Sequence, residues 1–107
     1  MPIIASIRRV IEGRMSQGVL EKISWEVDTL PWGGLPTPVS LYVWDVSQNY
    51  LNVTAVVAAG GPPTVLGNVL ISQIISLLTI DHLYRVEYIF TIGGNTLSCF
   101  FELQCER

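Results

Sequence analysis

From Tyr84 to Cys105 the chain alternates apolar and polar residues at period two on either side of a central Gly93-Gly94, and few folds accept such a stretch. Tyr84, Val86, Tyr88 and Phe90 share one face of the first run, and Leu97, Cys99, Phe101, Leu103 and Cys105 share one face of the second. Side chains point to opposite faces along a strand, so each run reads as a strand with one buried face. A Gly-Gly pair suits a two-residue hairpin turn, whose central positions both need positive φ. Closing the hairpin there sets Ile92 opposite Asn95, then Phe90 opposite Leu97, Tyr88 opposite Cys99, Val86 opposite Phe101 and Tyr84 opposite Leu103. The same register sets Arg85 against Glu102 on the other face, and a slip of one residue would lose both agreements.

The rest of the chain reads in the same way. From Val19, Ile23, Trp25 and Val27 alternate against Lys22, Ser24, Glu26 and Asp28. The segment Leu30 to Pro38 holds three prolines and two glycines and predicts a stiff loop. Val39, Leu41 and Val43 then oppose Ser40, Tyr42 and Trp44. Leu51, Val53, Ala55 and Val57 predict a further strand, ended by Gly60-Gly61-Pro62-Pro63. Val69 to Ile71 reads as a short strand, and Ile74 to Ile80 as a crossing between strands, being too rich in β-branched residues for a helix. Short strands between Gly/Pro turns, without a 3.6-residue period, predict a sandwich or a barrel.

The 107 residues, half of them hydrophobic, suffice for one core, taken as residues 18–107. Residues 1–17 are set apart. They carry Arg8, Arg9 and Arg14, and Ile11-Glu12-Gly13-Arg14 before Met15 resembles a protease recognition sequence used to remove expression tags, so this stretch is either an arm that docks on a neighbour or a removable leader. A net charge of −3 with only 14% charged residues offers no basic stripe for nucleic acid. The longest uncharged run, between Asp45 and Asp81, is broken by Asn, Gln, Gly and Pro, and falls short of the roughly 20 continuous apolar residues of a membrane span. Arg8 and Arg9 lie on the wrong side of Pro2–Ala5 for a secretion signal, so the chain reads as made and kept in a cytosol, or exported without its own signal.

Catalytic and metal chemistry find little support. Cys99 and Cys105, on one strand, would stand about 20 Å apart, beyond disulfide reach, and read as buried thiols. The one histidine, His82, sits beside Asp81 in a predicted surface turn, and the register sets it near Cys105, the sharpest catalytic constellation the sequence offers. One His and two Cys on one strand do not make a metal site, and neither a cofactor nor a catalytic activity is expected. What remains is surface. Trp32 in the Pro/Gly loop, and Tyr42, Trp44, Ile89 and Phe100 on the outward side of their strands, are the candidate interface residues.

Leu78-Thr79-Ile80-Asp81-His82-Leu83-Tyr84 resembles the tyrosine corner of immunoglobulin-like and fibronectin type III domains, where a Tyr opening the penultimate strand caps a backbone group upstream. The fold expected is therefore an all-β, immunoglobulin-like antiparallel β-sandwich of about seven short strands. Over residues 23–106, the strand ending Trp25-Glu26-Val27-Asp28, the Pro/Gly loop, and Tyr84 through the Gly93-Gly94 hairpin into the last strand together resemble small immunoglobulin-like accessory proteins of tailed bacteriophages, of the fibre-to-tail adaptor and head-decoration types. The resemblance implies a structural virion protein, assembled in a host cytoplasm, that binds other virion proteins or copies of itself as a homo-oligomer. The alternative is a carbohydrate-binding or adhesion module with Trp32, Tyr42 and Trp44 stacked on sugar rings.

Overall fold

A computed structural model describes residues 7–9 and 14–107. The described strands are β1 (Ile7–Arg9), β2 (Arg14–Gly18), β3 (Ser24–Asp28), β4 (Thr37–Asp45), β5 (Leu51–Asn52), β6 (Thr64–Leu66), β7 (Val69–Ile71), β8 (Leu83–Ile92) and β9 (Asn95–Glu106). They form a four-stranded sheet of order β1-β3-β7-β6 and a five-stranded sheet of order β2-β9-β8-β4-β5. Among themselves the seven strands β3 to β9 pair antiparallel and carry the immunoglobulin connectivity, with β3, β7 and β6 in one sheet and β9, β8 and β4 in the other. β1 and β2 add parallel edges, β1 beside β3 and β2 beside β9, so one sandwich is tied across both sheets by its N-terminal segment.

The β8–β9 register is the one that periodicity predicts, from Ile92 against Asn95 to Tyr84 against Leu103, and Gly93 and Gly94 have φ of 58° and 85°. The tyrosine corner is present: Thr79 N–H donates to the Tyr84 hydroxyl at 2.7 Å, pinning the crossing between sheets to the start of β8. Removing that acceptor leaves a backbone donor without its partner. Tyr84→Phe is expected to lower unfolding stability by about 1–2 kcal/mol, read as a lower urea midpoint at unchanged slope.

Several local expectations are corrected. Val39 was expected to point inward with Leu41 and Val43, but the register shifts between Pro38 and Ser40, and this bulge turns Val39 to solvent. The strand expected over Leu51 to Val57 stops after two residues. Asn52 Oδ1 accepts from the Thr54 N–H at 3.1 Å and the Thr54 hydroxyl at 2.7 Å, which opens a single helical turn, α1 (Thr54–Val57). The Pro/Gly loop contains a 3₁₀ turn over Leu30–Trp32 and is fastened to the β6–β7 turn: Thr29 N–H donates to Asn68 O at 2.8 Å, and Leu35 N–H to Asn68 Oδ1 at 2.9 Å. A Cβ at Gly34 would collide with that Asn68 amide, so only glycine fits there.

The core joins the two sheets through Trp25. Its ring lies 5.5 Å from that of Phe101, its carbonyl accepts from the Tyr88 hydroxyl at 2.7 Å, and its N–H donates to Ser72 Oγ at 2.9 Å. The indole N–H donates to Gln17 Oε1 at 2.9 Å, while Gln17 Nε2 donates to Ile75 O at 2.7 Å and Glu21 O at 3.0 Å. Gln17, on β2, is thus a buried amide with both ends satisfied, holding the N-terminal edge strand to β3 and to the crossing.

Candidate protein interface

The outward side of the five-stranded sheet is built by alternation. Tyr42 and Trp44 on β4, Arg85, Glu87 and Ile89 on β8, and Phe100 and Glu102 on β9 all face away from the residues that fill the core, such as Leu41, Val43, Val86, Tyr88 and Phe101. Cross-strand pairing lays them out in rows. Trp44 stands beside Arg85 and Arg85 beside Glu102; Tyr42 stands beside Glu87 and Glu87 beside Phe100; Ser40 stands beside Ile89 and Ile89 beside Ser98. Four of the five candidate residues, Tyr42, Trp44, Ile89 and Phe100, therefore share one face.

Diagonal contacts fix the side chains. The Arg85 guanidinium lies 3.6 Å from the centroid of the Phe100 ring, although its register partner is Glu102. Glu102 instead meets Arg14 of β2 at 3.4 Å. Trp44 Nε1 donates to Glu87 Oε1 at 3.3 Å, and the Tyr42 and Trp44 rings lie 5.7 Å apart at 32°. Phe100 keeps 53% of its surface exposed beneath the guanidinium. A depression of about 320 Å³ opens beside it between Trp44, Tyr50, Arg85 and Glu87. Aromatic rings held in place by such contacts lose little freedom when covered, and Trp, Tyr and Arg are the side chains that most often dominate interfaces.

The fifth candidate, Trp32, stands elsewhere. It lies on the 3₁₀ turn with its ring 6.0 Å from Phe90, a core residue, and so caps one end of the sandwich. The three rings expected to form a sugar-stacking platform are thus split, leaving the tilted Tyr42–Trp44 pair. The sequence pairs Arg85 with Glu102 and sets Arg14 in the N-terminal arm, but names none of Arg14, Arg85, Glu87 and Glu102 among the interface candidates. The signal that finds three of them is the hairpin register, which puts Arg85, Glu87 and Glu102 between the aromatic residues.

The residues considered for nucleophilic chemistry are committed otherwise. His82, expected at the surface of a turn, is partly buried, and its Nδ1–H donates to Asp45 Oδ2 at 2.8 Å. Backbone bonds do bring His82 and Cys105 together, Cys105 N–H donating to His82 O at 3.0 Å, but the Cys105 side chain is fully buried. Burial raises the Cys105 thiol above its ordinary value, helped by Asp81 and Glu106; burial, then Glu87, pushes Cys99 up to about 11. A nucleophilic thiol needs the opposite shift. Cys99 is expected to react with iodoacetamide at neutral pH about 100-fold more slowly than an unperturbed thiol, as checked by mass spectrometry.

Burial likewise raises Tyr84 and Tyr88 above the usual phenol range. All four groups hold their protons more tightly folded than unfolded, so the unfolded chain loses them first as pH rises. Stability is full below about pH 9 and declines upward through about 11, visible as a falling urea midpoint. Among the described residues no group of three or more His, Cys, Asp and Glu gathers to hold a metal ion, and no helix is long and apolar enough to cross a membrane. No family model matches the chain, and no curated protein or solved structure matches it.

Proposed function

We propose that this protein is a non-catalytic structural subunit of a tailed-phage virion, of the decoration or adaptor type, assembled in the host cytoplasm and acting through protein–protein contacts. The observation that carries the reading is the outward face of the five-stranded sheet. There an exposed Phe100 under Arg85, the Tyr42–Trp44 pair and Ile89 stand in adjoining rows with Arg85 and Glu87 between them, and the Phe100, Tyr42 and Trp44 rings are held by side-chain contacts. An outer sheet face is ordinarily polar, and a contiguous aromatic patch on one marks a surface that another protein covers. The charges among the rings, Arg85 and Glu87 on this face and Arg14 with Glu102 at its edge, give such a partner register as well as adhesion.

Partner proteins of a virion are present in stoichiometric copies, and this gives the test. In tailed particles purified from the source culture, quantitative mass spectrometry is expected to find the chain at many copies per particle, in a fixed ratio to a head or tail protein. Recovery solely outside particles, at no fixed ratio, contradicts the proposal.

A further inference from the structure

The rows of the outer face have a diagonal symmetry about the middle of β8. Phe100 stands on β9 in the row of Glu87, and Trp44 stands on β4 in the row of Arg85. Arg85 and Glu87 lie two residues apart on β8, so Phe100 and Trp44 are opposite corners around one midpoint. At about 4.8 Å per strand and about 3.4 Å per residue, the corners are about 12 Å apart. Each charged side chain leaves its own row for the ring at one of them. The Arg85 guanidinium lies 3.6 Å from the Phe100 centroid, and Glu87 Oε1 accepts from Trp44 Nε1 at 3.3 Å. One corner thus carries a positive charge on an exposed ring, and the other a negative charge on an indole.

Both charges are open to a partner. Among the described residues no carboxylate comes within ion-pair distance of the Arg85 guanidinium, whose register neighbour Glu102 pairs with Arg14 instead. Glu87 there bonds nothing but the Trp44 indole. A guanidinium can rest on a ring and still offer its N–H donors to a carboxylate. The corners also differ in shape. At one, Phe100 is 53% exposed; at the other opens the depression of about 320 Å³ between Trp44, Tyr50, Arg85 and Glu87. Tyr50 walls that depression from a backbone φ of 60°, a left-handed conformation that bulky residues rarely take, with a ring that is exposed and outside the core.

A two-fold axis in the plane of the face, through the midpoint and perpendicular to the line joining the corners, exchanges them. We propose that the occupant of this face is a second copy of the chain related by that axis. Arg85 of each copy meets Glu87 of the other, and Phe100 of each enters the other's depression, so one operation satisfies charge and shape together. The chain's net charge is −3, yet the two rows set Arg14 and Arg85 against Glu87 and Glu102, and such a face does not repel its own kind. The interface uses the same surface on both copies and closes at two. This inference deepens the assembly reading and rests on it.

Sedimentation equilibrium tests it on the full chain, on Arg85→Glu, on Glu87→Arg and on an equimolar mixture of the two variants. In either variant alone like charges meet at each contact, and the dissociation constant is expected to rise about tenfold or more. In the mixture every contact again joins opposite charges, and affinity is expected to return to within about threefold of the parent's, which also shows both variants folded. Hydrogen exchange of the full chain needs no substitution: on association, exchange is expected to slow in the loop at 46–52 and around Phe100. A mixture as weak as its components while the full chain dimerises, protection confined to other surfaces, or growth past two copies overturns this inference and leaves the assembly reading standing. A full chain that stays monomeric at every concentration overturns it as well, while the virion reading is decided separately by the copy count in particles.

Discussion

Replacing Gln17 by methionine is expected to destabilise the protein by about 2–4 kcal/mol, although it exchanges one polar side chain on an edge strand for an apolar one of similar length. The Gln17 carboxamide accepts from Trp25 Nε1 and donates to the carbonyls of Ile75 and Glu21, and the residue is buried. Methionine would take the acceptor from the Trp25 indole N–H, at a cost of about 1–3 kcal/mol, and the side-chain donor from the carbonyls of Ile75, which keeps the Ile23 N–H at 3.1 Å, and Glu21. The loss should appear as a fall in melting temperature on the order of 10 °C or more, with a blue-edge change in the fluorescence of Trp25. A Gln17→Met protein as stable as the parent would show that β2 is only laid against the sandwich, and not held by it.

His82→Leu is the second large effect, expected at about 2–3 kcal/mol. Asp45 ends β4 with its side chain 3% exposed; one carboxyl oxygen takes the His82 Nδ1–H, and the other meets no partner among the described residues. Removing the ring leaves a buried carboxyl with no donor at all, and His82 being partly exposed keeps the cost below the 3–5 kcal/mol of a fully enclosed pair. Removing both partners should cost less than removing His82 alone, because the group that needs the donor is gone. Denaturation of Asp45→Leu, His82→Leu and the double variant, treated as a cycle, measures this coupling. A double variant that simply adds the two single losses would mean that the contact contributes nothing of its own.

The parts of the fold legible in the sequence are those where local pattern and tertiary role coincide. Between Tyr84 and Cys105, one period-two pattern and one Gly-Gly turn determine strand, face and register together, and the hairpin follows residue for residue. The tyrosine corner was legible because its donor lies five positions from its acceptor. Leu51 to Val57 misled because the alternation is real but the Asn52 side chain competes for the next backbone donors and turns the chain into a helical turn. Thr64–Leu66 was silent for the converse reason: all three residues are exposed, so no alternation marks the strand. Gln17 looked like part of a polar arm because the partner that explains its burial, Ile75, is 58 residues away.

The candidate interface was half legible. Alternation identified Tyr42, Trp44, Ile89 and Phe100 as outward residues, and the register places them on one face. Trp32 was grouped with them as an aromatic residue of the Pro/Gly loop, and its place depends on how that loop folds back over Phe90. No pattern showed that Arg85 would lie on Phe100 and leave Glu102 to Arg14, since the register sets Arg85 beside Glu102 and only the side-chain conformation carries the guanidinium to the diagonal ring.

The central claim is that the aromatic face of the five-stranded sheet is an assembly surface, and a concentration series in light scattering tests it most directly. The full chain is expected to associate, and Phe100→Thr with Tyr42→Thr, substitutions that keep strand propensity and remove the anchors, should weaken association by about 2 kcal/mol or more, roughly 30-fold, at unchanged melting temperature. Equal association of the two proteins at every concentration would contradict the account.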